Sequence, residues 1–201
     1  MTKPQITFEP GNVYHIFNHA SGDESLFIEH KNYQRFLMNY TKYIAPIAET
    51  FAYCLMPNHF HLLVKIKNSE KIKKLISTDR KENVFLAHQF GNLQNAYARY
   101  FNIKYQRKGP LFQTRIKRKK INSGNYFKQA IQYIHMNPVY HEFVDNPGDW
   151  KYSSYSAYDG TRKTLVKRED FISFIGGKKA FYNIHTLKGI EKYSIDMDIL
   201  Y

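Results

Sequence analysis

The chain has few cysteines for disulfides or zinc sites, and it lacks long apolar segments that could span a membrane. Its single cysteine, Cys54, excludes an intramolecular disulfide and argues against a cysteine-rich zinc site. Long apolar runs are also missing, since no stretch approaches the roughly 18 residues that a membrane span needs. The first residues lack the basic-then-apolar pattern of a signal peptide. We therefore expect a soluble, cytoplasmic protein.

Acidic residues are the second scarce class. The chain has 17 Asp and Glu against 30 Lys and Arg, which gives a formal net charge of +13. Such a surface attracts polyanions, and nucleic acid is the usual partner because neutralising its phosphates releases counterions. Charge by itself does not separate DNA from RNA, and it is also compatible with a role in solubility alone.

Apolar residues are plentiful enough for one well-packed domain. Hydrophobic residues make up 43% and aromatic residues 16% of the 201 positions, so folding needs neither a disulfide nor a structural metal. Residue patterns predict an α+β order of strand, helix, strand, strand, helix, strand, helix, with the helices on one face of an antiparallel sheet. The predicted elements are Asn12–Asn18, Glu29 to about Ala48, Phe51–Met56, His59–Ile66, Val84–Phe101, Leu111–Lys117, and Ser123 or Asn125 to Asn137.

The ends of the last predicted helix have specific signals. Ser123 is a suitable N-terminal cap, and Pro138 disfavours helical geometry at the residue before it. From about Gly148 onward the sequence is irregular, and we interpret this part as a C-terminal extension of the same domain.

A pair of histidines lies in the second strand of the predicted hairpin. Strand alternation directs His59 and His61 to one face and Phe60 to the other. Two ring nitrogens that converge in this way suit a divalent cation with open positions. Two structural histidines on a strand would give the same local pattern.

The last predicted helix carries a second polar pair. Tyr133 and Asn137 are four residues apart, so they share one helical face. A phenol hydroxyl can attack phosphorus, and a neighbouring amide oxygen can complete a metal's ligand set. A packed aromatic is the alternative for Tyr133, since the chain has 17 tyrosines. His135 lies about 200° around the helix from Tyr133, and we leave it out of the metal site.

Four motifs occur in order between Asn12 and Tyr158. Together they resemble the insertion sequence 200-like single-tyrosine transposases, and most closely the REP-associated tyrosine transposases. The motifs are Met-Pro-Asn-His-Phe-His-Leu-Leu-Val at 56–64, Gly-x-Leu-Phe-Gln-x-Arg at 109–115, Tyr-Ile-x-x-Asn-Pro-Val at 133–139, and Trp-x-x-Ser-Ser-Tyr at 150–155. The chain departs from the family pattern at His19, where relatives usually have Arg, and at Glu142-Phe143, where they have Gly-Leu.

This resemblance implies a ferredoxin-like fold, with the histidine pair on a central strand and the nucleophile on a neighbouring helix. It assigns the metal ligands to His59, His61 and Asn137 and the nucleophile to Tyr133. The metal it implies is Mg²⁺ or Mn²⁺, which also suits a phosphate substrate. On this basis residues 1–158 form the catalytic domain and residues 159–201 the extension.

The function that follows is a metal-dependent endonuclease and strand transferase. It would cut single-stranded DNA near hairpins through a 5′-phosphotyrosine intermediate. The densest candidate DNA-binding track is formed by Arg115, Lys117, Arg118, Lys119 and Lys120, although a solvated charged strand end gives the same pattern. A domesticated relative that processes chromosomal repeats and a non-catalytic nucleic-acid-binding module stay open, as does the choice between monomer and homodimer.

Overall fold

The structure is a computed structural model that describes residues 6–77 and 79–186. A four-stranded antiparallel sheet with the spatial order β2-β3-β1-β4 organises this part of the chain. The strands are β1 (Val13–His19), β2 (Ala48–Met56), β3 (His59–Ile66) and β4 (Lys117–Ile121). The two hairpin strands predicted from the sequence are therefore neighbours, and β3 and β1 occupy the centre.

Helices separate and follow these strands. They are α1 (His30–Tyr43), α2 (Ser69–Lys73), α3 (Glu82–Lys104), α4 (Gly124–Tyr140), α5 (Tyr155–Asp159), α6 (Arg168–Ile175) and α7 (Lys178–Ile184). The chain order through β4 is the βαββαβ order of ferredoxin-like folds, with the small helix α2 added. The predicted α+β, ferredoxin-like class is confirmed.

Hydrophobic cores lie on both faces of the sheet. Phe60, Leu62 and Val64 of β3 pack with α1 and α3 in one core, whereas Leu63 packs with α4 in the other. The prediction that the helices share one face is therefore wrong. Strand β3 is buried at every position except Lys65, so its sequence alone does not reveal which helix covers which face.

The fourth strand begins where its predicted counterpart ends. Residues 111–116 form a loop in which Leu111, Phe112 and Ile116 are buried. Their spacing imitates a strand, but these side chains fill the core beside α3. The strand itself is the charged run Lys117–Ile121 at the sheet's edge. Lysines are common on edge strands because they discourage pairing with another chain.

Helix α4 begins as predicted and ends later than predicted. The Ser123 side chain accepts a hydrogen bond from the backbone N–H of Tyr126, which caps the helix. Pro138 lies inside the helix and removes one backbone donor, yet the helix continues to Tyr140. Beyond it Glu142 has a φ of 57°, and the backbone N–H of Phe143 donates to the carbonyl of Pro138. A left-handed residue at this place is a common helix ending that favours glycine.

The region after Gly148 is more ordered than the sequence indicated, since it contains a 3₁₀ turn at Pro147–Asp149 and helices α5 to α7. Ser153 and Val166 form isolated bridges to the outer side of β2. Phe171, Phe181 and Ile184 join the core beneath α4. The catalytic domain and extension proposed for 1–158 and 159–201 stay a prediction, and residues 1–5 and 187–201 lie outside the described part of the chain.

Within the described ranges, none of the helices combines the length and the apolar character needed to cross a membrane.

Candidate active site

Strand register gathers the site histidines on the face of the sheet that α4 covers. In the pairing of β1 with β3, His19 lies opposite His59 and Phe17 lies opposite His61. Directly paired residues have side chains on the same face, and alternation adds His15 to that face. The sheet thereby supplies four imidazoles to one surface.

Helix α4 reaches this surface through Asn137. The Oδ1 atom of Asn137 lies 2.8 Å from Nε2 of His59, and both residues are buried. The other ring nitrogen of His59, Nδ1, lies 2.8 Å from Oδ1 of the neighbouring Asn58. Strand β3 and helix α4 are therefore linked by polar atoms at two of the residues that the family resemblance assigns to the metal site.

The proton count at His59 indicates what this site can bind. Both neighbouring oxygens are acceptors, whereas a neutral imidazole has one N–H. Burial lowers the pKa of His59 to about 4, so the ring is neutral at pH 7. In the tautomer in which Nδ1 donates to Asn58, Nε2 has a lone pair that faces the lone pairs of Asn137 Oδ1. A cation satisfies two acceptors held in this way.

His61 is held by another histidine. Its Nδ1 atom lies 2.9 Å from Nε2 of His15, and both side chains are fully buried. Burial lowers the pKa of His15 to about 3, with a smaller effect from the nearby Lys119 charge. Burial also lowers the pKa of His61, followed by the effect of His15. Both rings are therefore neutral near pH 7, as metal ligation by a histidine requires.

Tyr133 packs against the same histidines. Its ring centre lies 5.3 Å from that of His61 and 6.1 Å from that of His15, in edge-to-face geometry in each case. Tyr140, further along α4, lies 6.0 Å from the Tyr133 ring. The side chain of Tyr133 is 3% exposed. The structure thus brings together Tyr133, Asn137, His59 and His61.

The donor set fits a small divalent cation. Among residues 6–77 and 79–186, no group of three or more His, Cys, Asp and Glu side chains could hold a metal, so a site here depends on the Asn137 amide. Two ligands at about 2.1 Å on adjacent octahedral positions are about 3 Å apart. The 2.8 Å between His59 Nε2 and Asn137 Oδ1 matches that separation.

The predicted basic track divides between the two faces of the sheet. Lys117 and Lys119 pair with Phe17 and His15 of β1, which places both lysines on the histidine face. Arg118 and Lys120 point to the opposite face. Arg118 lies over the Phe8 ring and donates to the carbonyl of Ile6, and Lys120 forms an ion pair with Glu9 at 2.6 Å. Arg115 is exposed in the loop before β4.

His135 belongs to a separate buried cluster. Its Nδ1 lies 3.1 Å from Nε2 of His185 and its Nε2 lies 2.8 Å from Oγ of Ser154. These contacts connect α4 to the C-terminal region on the side away from Tyr133. The structure therefore places His135 outside the candidate site, as the helical spacing predicted.

Three histidines near the site were absent from the predicted set. His15 contacts His61, the His19 ring stacks on that of His59 at 4.8 Å, and the His141 ring lies 5.0 Å from the His59 ring. Alternation in the first strand does show that His15 and His19 share a face. It does not show that β1 pairs with β3 in the register that brings them to the histidine pair.

Comparisons with known proteins find a sequence relative and solved structures of similar fold. The chain is 31% identical over 110 residues to a Haemophilus influenzae protein provisionally described as a REP-associated tyrosine transposase, a match that covers 53% of this chain and 58% of that protein. It resembles the solved structure of a REP-associated tyrosine transposase bound to a REP hairpin, with a TM-score of 0.63 and 15% identity over 82% of this chain and 90% of the other. No protein family model matches the chain.

The sequence relative confirms the resemblance that the four motifs indicated. The solved structure confirms the fold.

Proposed function

We propose that this chain is a transposase of the REP-associated tyrosine type, a metal-dependent enzyme that cuts and rejoins single-stranded DNA beside hairpins. The observation that carries this proposal is the pair of potential metal ligands, His59 Nε2 and Asn137 Oδ1, held 2.8 Å apart next to Tyr133 and His61. The Haemophilus influenzae relative supports the transposase class. The hairpin in the solved structure of similar fold supports hairpin-bearing DNA as the partner.

His59, His61 and Asn137 would hold the metal, Mg²⁺ or Mn²⁺. When bound, the cation supplies Lewis-acid stabilisation of the charge that develops on the phosphate. The protein's own contribution is to fix the ligands. Asn58 orients the His59 ring, and the packing of α4 on β2 and β3 fixes Asn137. Such prior positioning is a large part of catalysis in phosphoryl transfer.

Tyr133 is the proposed nucleophile. Its phenol oxygen forms a bond to phosphorus while the bond from phosphorus to the 3′ oxygen breaks, which leaves a 5′-phosphotyrosine and a 3′ hydroxyl. The phenol loses its proton, and the departing oxygen gains one. Attack by a different 3′ hydroxyl reverses these steps and joins two strands. Of the imidazoles described, His61 and His15 lie next to the Tyr133 ring.

Access to Tyr133 requires local movement. A side chain that is 3% exposed offers almost no surface to a phosphodiester, so the segment around α4 must open when DNA binds. Local opening of this kind costs less free energy than global unfolding.

Lys117 and Lys119 are the proposed phosphate contacts that lead toward the site. They lie on the same face of the sheet as the histidines and at its edge. A DNA strand can pass along this edge without crossing another element of the sheet. Arg115 extends this basic surface at the loop before β4. Arg118 and Lys120 lie on the other face with partners inside the protein, so their contribution to binding should be smaller.

The test is covalent capture of DNA. A labelled single strand that contains a hairpin is incubated with Mn²⁺ and the chain, and adducts are resolved by denaturing electrophoresis. Tyr133→Phe should abolish adducts while leaving the fold and DNA binding intact. Tyr158→Phe is a matched control. The hydroxyl of this buried tyrosine donates a hydrogen bond of 2.6 Å to the carbonyl of Phe51, and the residue lies outside the site. Adducts that persist in Tyr133→Phe would contradict the assignment of the nucleophile.

A further inference from the structure

We propose that His15 is a positioning residue for the metal site. Its Nε2 accepts a hydrogen bond from Nδ1 of His61, and this bond directs the Nε2 lone pair of His61 toward the cation. The inference rests on the proposed function, since it concerns how one of the proposed ligands is oriented. It adds a residue that touches neither the metal nor the DNA.

The contact between the two rings is enforced by the sheet. His15 pairs with Leu63, two residues from His61 on the same face of β3, so His15 and His61 are diagonal neighbours. Their nitrogens are 2.9 Å apart, and their ring planes differ by 29°. Both side chains are fully buried, so bulk water does not compete for this bond.

Proton counting shows why the direction of this bond matters. Only one proton lies between Nε2 of His15 and Nδ1 of His61. If His15 donated it, neutral His61 would carry its own proton on Nε2 and could not bind a metal there. If His61 donates it, Nε2 of His61 keeps its lone pair. Metal-bound histidines generally donate their other ring N–H to a neighbouring acceptor, which fixes the tautomer and the ring orientation.

The partner ligand is held in the same way. Nδ1 of His59 lies 2.8 Å from Oδ1 of Asn58, an oxygen that only accepts. His15 takes the corresponding place at His61, but an imidazole can donate or accept. The His15 ring is itself packed against Phe17 at 5.1 Å and Tyr133 at 6.1 Å. His15 thus contacts a proposed ligand and lies beside the proposed nucleophile.

Two substitutions of His15 separate its role as a hydrogen-bond acceptor from its role in packing. His15→Gln retains an amide oxygen that can reach His61, whereas His15→Leu fills the space without an acceptor. Mn²⁺ binding to chelator-treated protein is measured by calorimetry. We expect His15→Leu to weaken Mn²⁺ binding by about 10- to 100-fold, the usual effect of removing a partner of a metal ligand. His15→Gln should restore most of the affinity. His185→Leu, which removes a buried histidine bonded to His135, is the control and should bind Mn²⁺ like the parent.

A second measurement does not depend on the variants folding. Nitrogen-15 NMR of histidine-labelled parent protein with Mg²⁺ should show His61 protonated at Nδ1. A proton on Nε2 of His61 in the Mg²⁺-bound protein would overturn the proposal, as would a folded His15→Leu variant with the affinity of the parent. Failure of the parent itself to bind Mn²⁺ would overturn the metal site of the proposed function and the role of His15 with it. The two failures are therefore distinguishable.

Discussion

Oδ1 of Asn137 on α4 lies 2.8 Å from Nε2 of His59 on β3. Removing one of three proposed metal ligands should weaken Mn²⁺ binding by about tenfold or more, equivalent to at least about 1.4 kcal/mol. We therefore expect Asn137→Ala to bind Mn²⁺ weakly in calorimetry. Asn137→Asp retains an oxygen and adds a negative charge, so it should bind Mn²⁺ at least as tightly as the parent.

Asn39 provides the matched control for this substitution. It is also a buried asparagine, but it lies on α1, whose residues pack in the core of the opposite sheet face. Asn39→Ala should leave the Mn²⁺ affinity unchanged. Equal affinities for Asn137→Ala and the parent would remove Asn137 from the ligand set.

Lys117 and Lys119 should account for more of the salt dependence of DNA binding than the residues that alternate with them. For single-stranded DNA, each phosphate that a protein neutralises adds about 0.7 to the slope of log affinity against log salt. We expect the double change of Lys117 and Lys119 to Gln to flatten this slope, measured by fluorescence anisotropy at several salt concentrations. Lys120→Gln, which removes an ion pair with Glu9, should change it little. A reversed order of effects would place the DNA on the other face of the sheet.

Glu142 is held in a backbone conformation that favours glycine. Its φ of 57° costs an L-residue about 1–2 kcal/mol, and glycine avoids this cost but loses more conformational entropy on folding. Glu142→Gly should therefore raise the free energy of unfolding by up to about 1 kcal/mol in urea titrations. Glu142→Ala keeps the strain and should show no such gain. A destabilised glycine variant would contradict this account of the helix ending.

The His135–His185 pair should make the fold sensitive to acid. Burial lowers the pKa of both groups below the ordinary 6.5, that of His185 to about 4. Between the ordinary pKa of 6.5 and the lowered pKa of about 4, the unfolded chain binds more protons than the folded chain. The free energy of unfolding therefore falls as the pH decreases from about 7 to 4. Each histidine contributes up to about 1.4 kcal/mol per pH unit.

His185→Gln removes one of these groups and retains a polar side chain. Urea unfolding of chelator-treated protein at about pH 7 and pH 5 should show a smaller decrease in stability for this variant than for the parent. Equal decreases in the free energy of unfolding of the two proteins would show that protonation of His185 does not cause the loss of stability at low pH.

Local sequence patterns are sufficient for the parts of the site that lie on one element. Alternation puts His59 and His61 on one face of a strand, and four-residue spacing puts Tyr133 beside Asn137 on a helix. These relationships depend only on the geometry of a strand and of a helix. The N-terminal cap at Ser123 is equally local, and it is predictable for the same reason.

Relationships between elements are harder to predict. The pairing of β1 with β3 brings His15 to His61, and no local pattern fixes that register. The sequence places the fourth strand too early because the buried Leu111, Phe112 and Ile116 give a stronger apolar signal than the charged edge strand. In helix α4, tertiary packing outweighs the preference of residues before proline for extended geometry.

Ser153 and Val166 form isolated bridges along the outer side of β2. Strand β4 lies at the other border of the sheet, where a second protein chain would meet a row of basic side chains. The same row attracts a polyanion. One border of the sheet, in the part of the chain that the structure describes, is thus covered by the chain itself, and the other carries basic side chains that disfavour pairing with another protein.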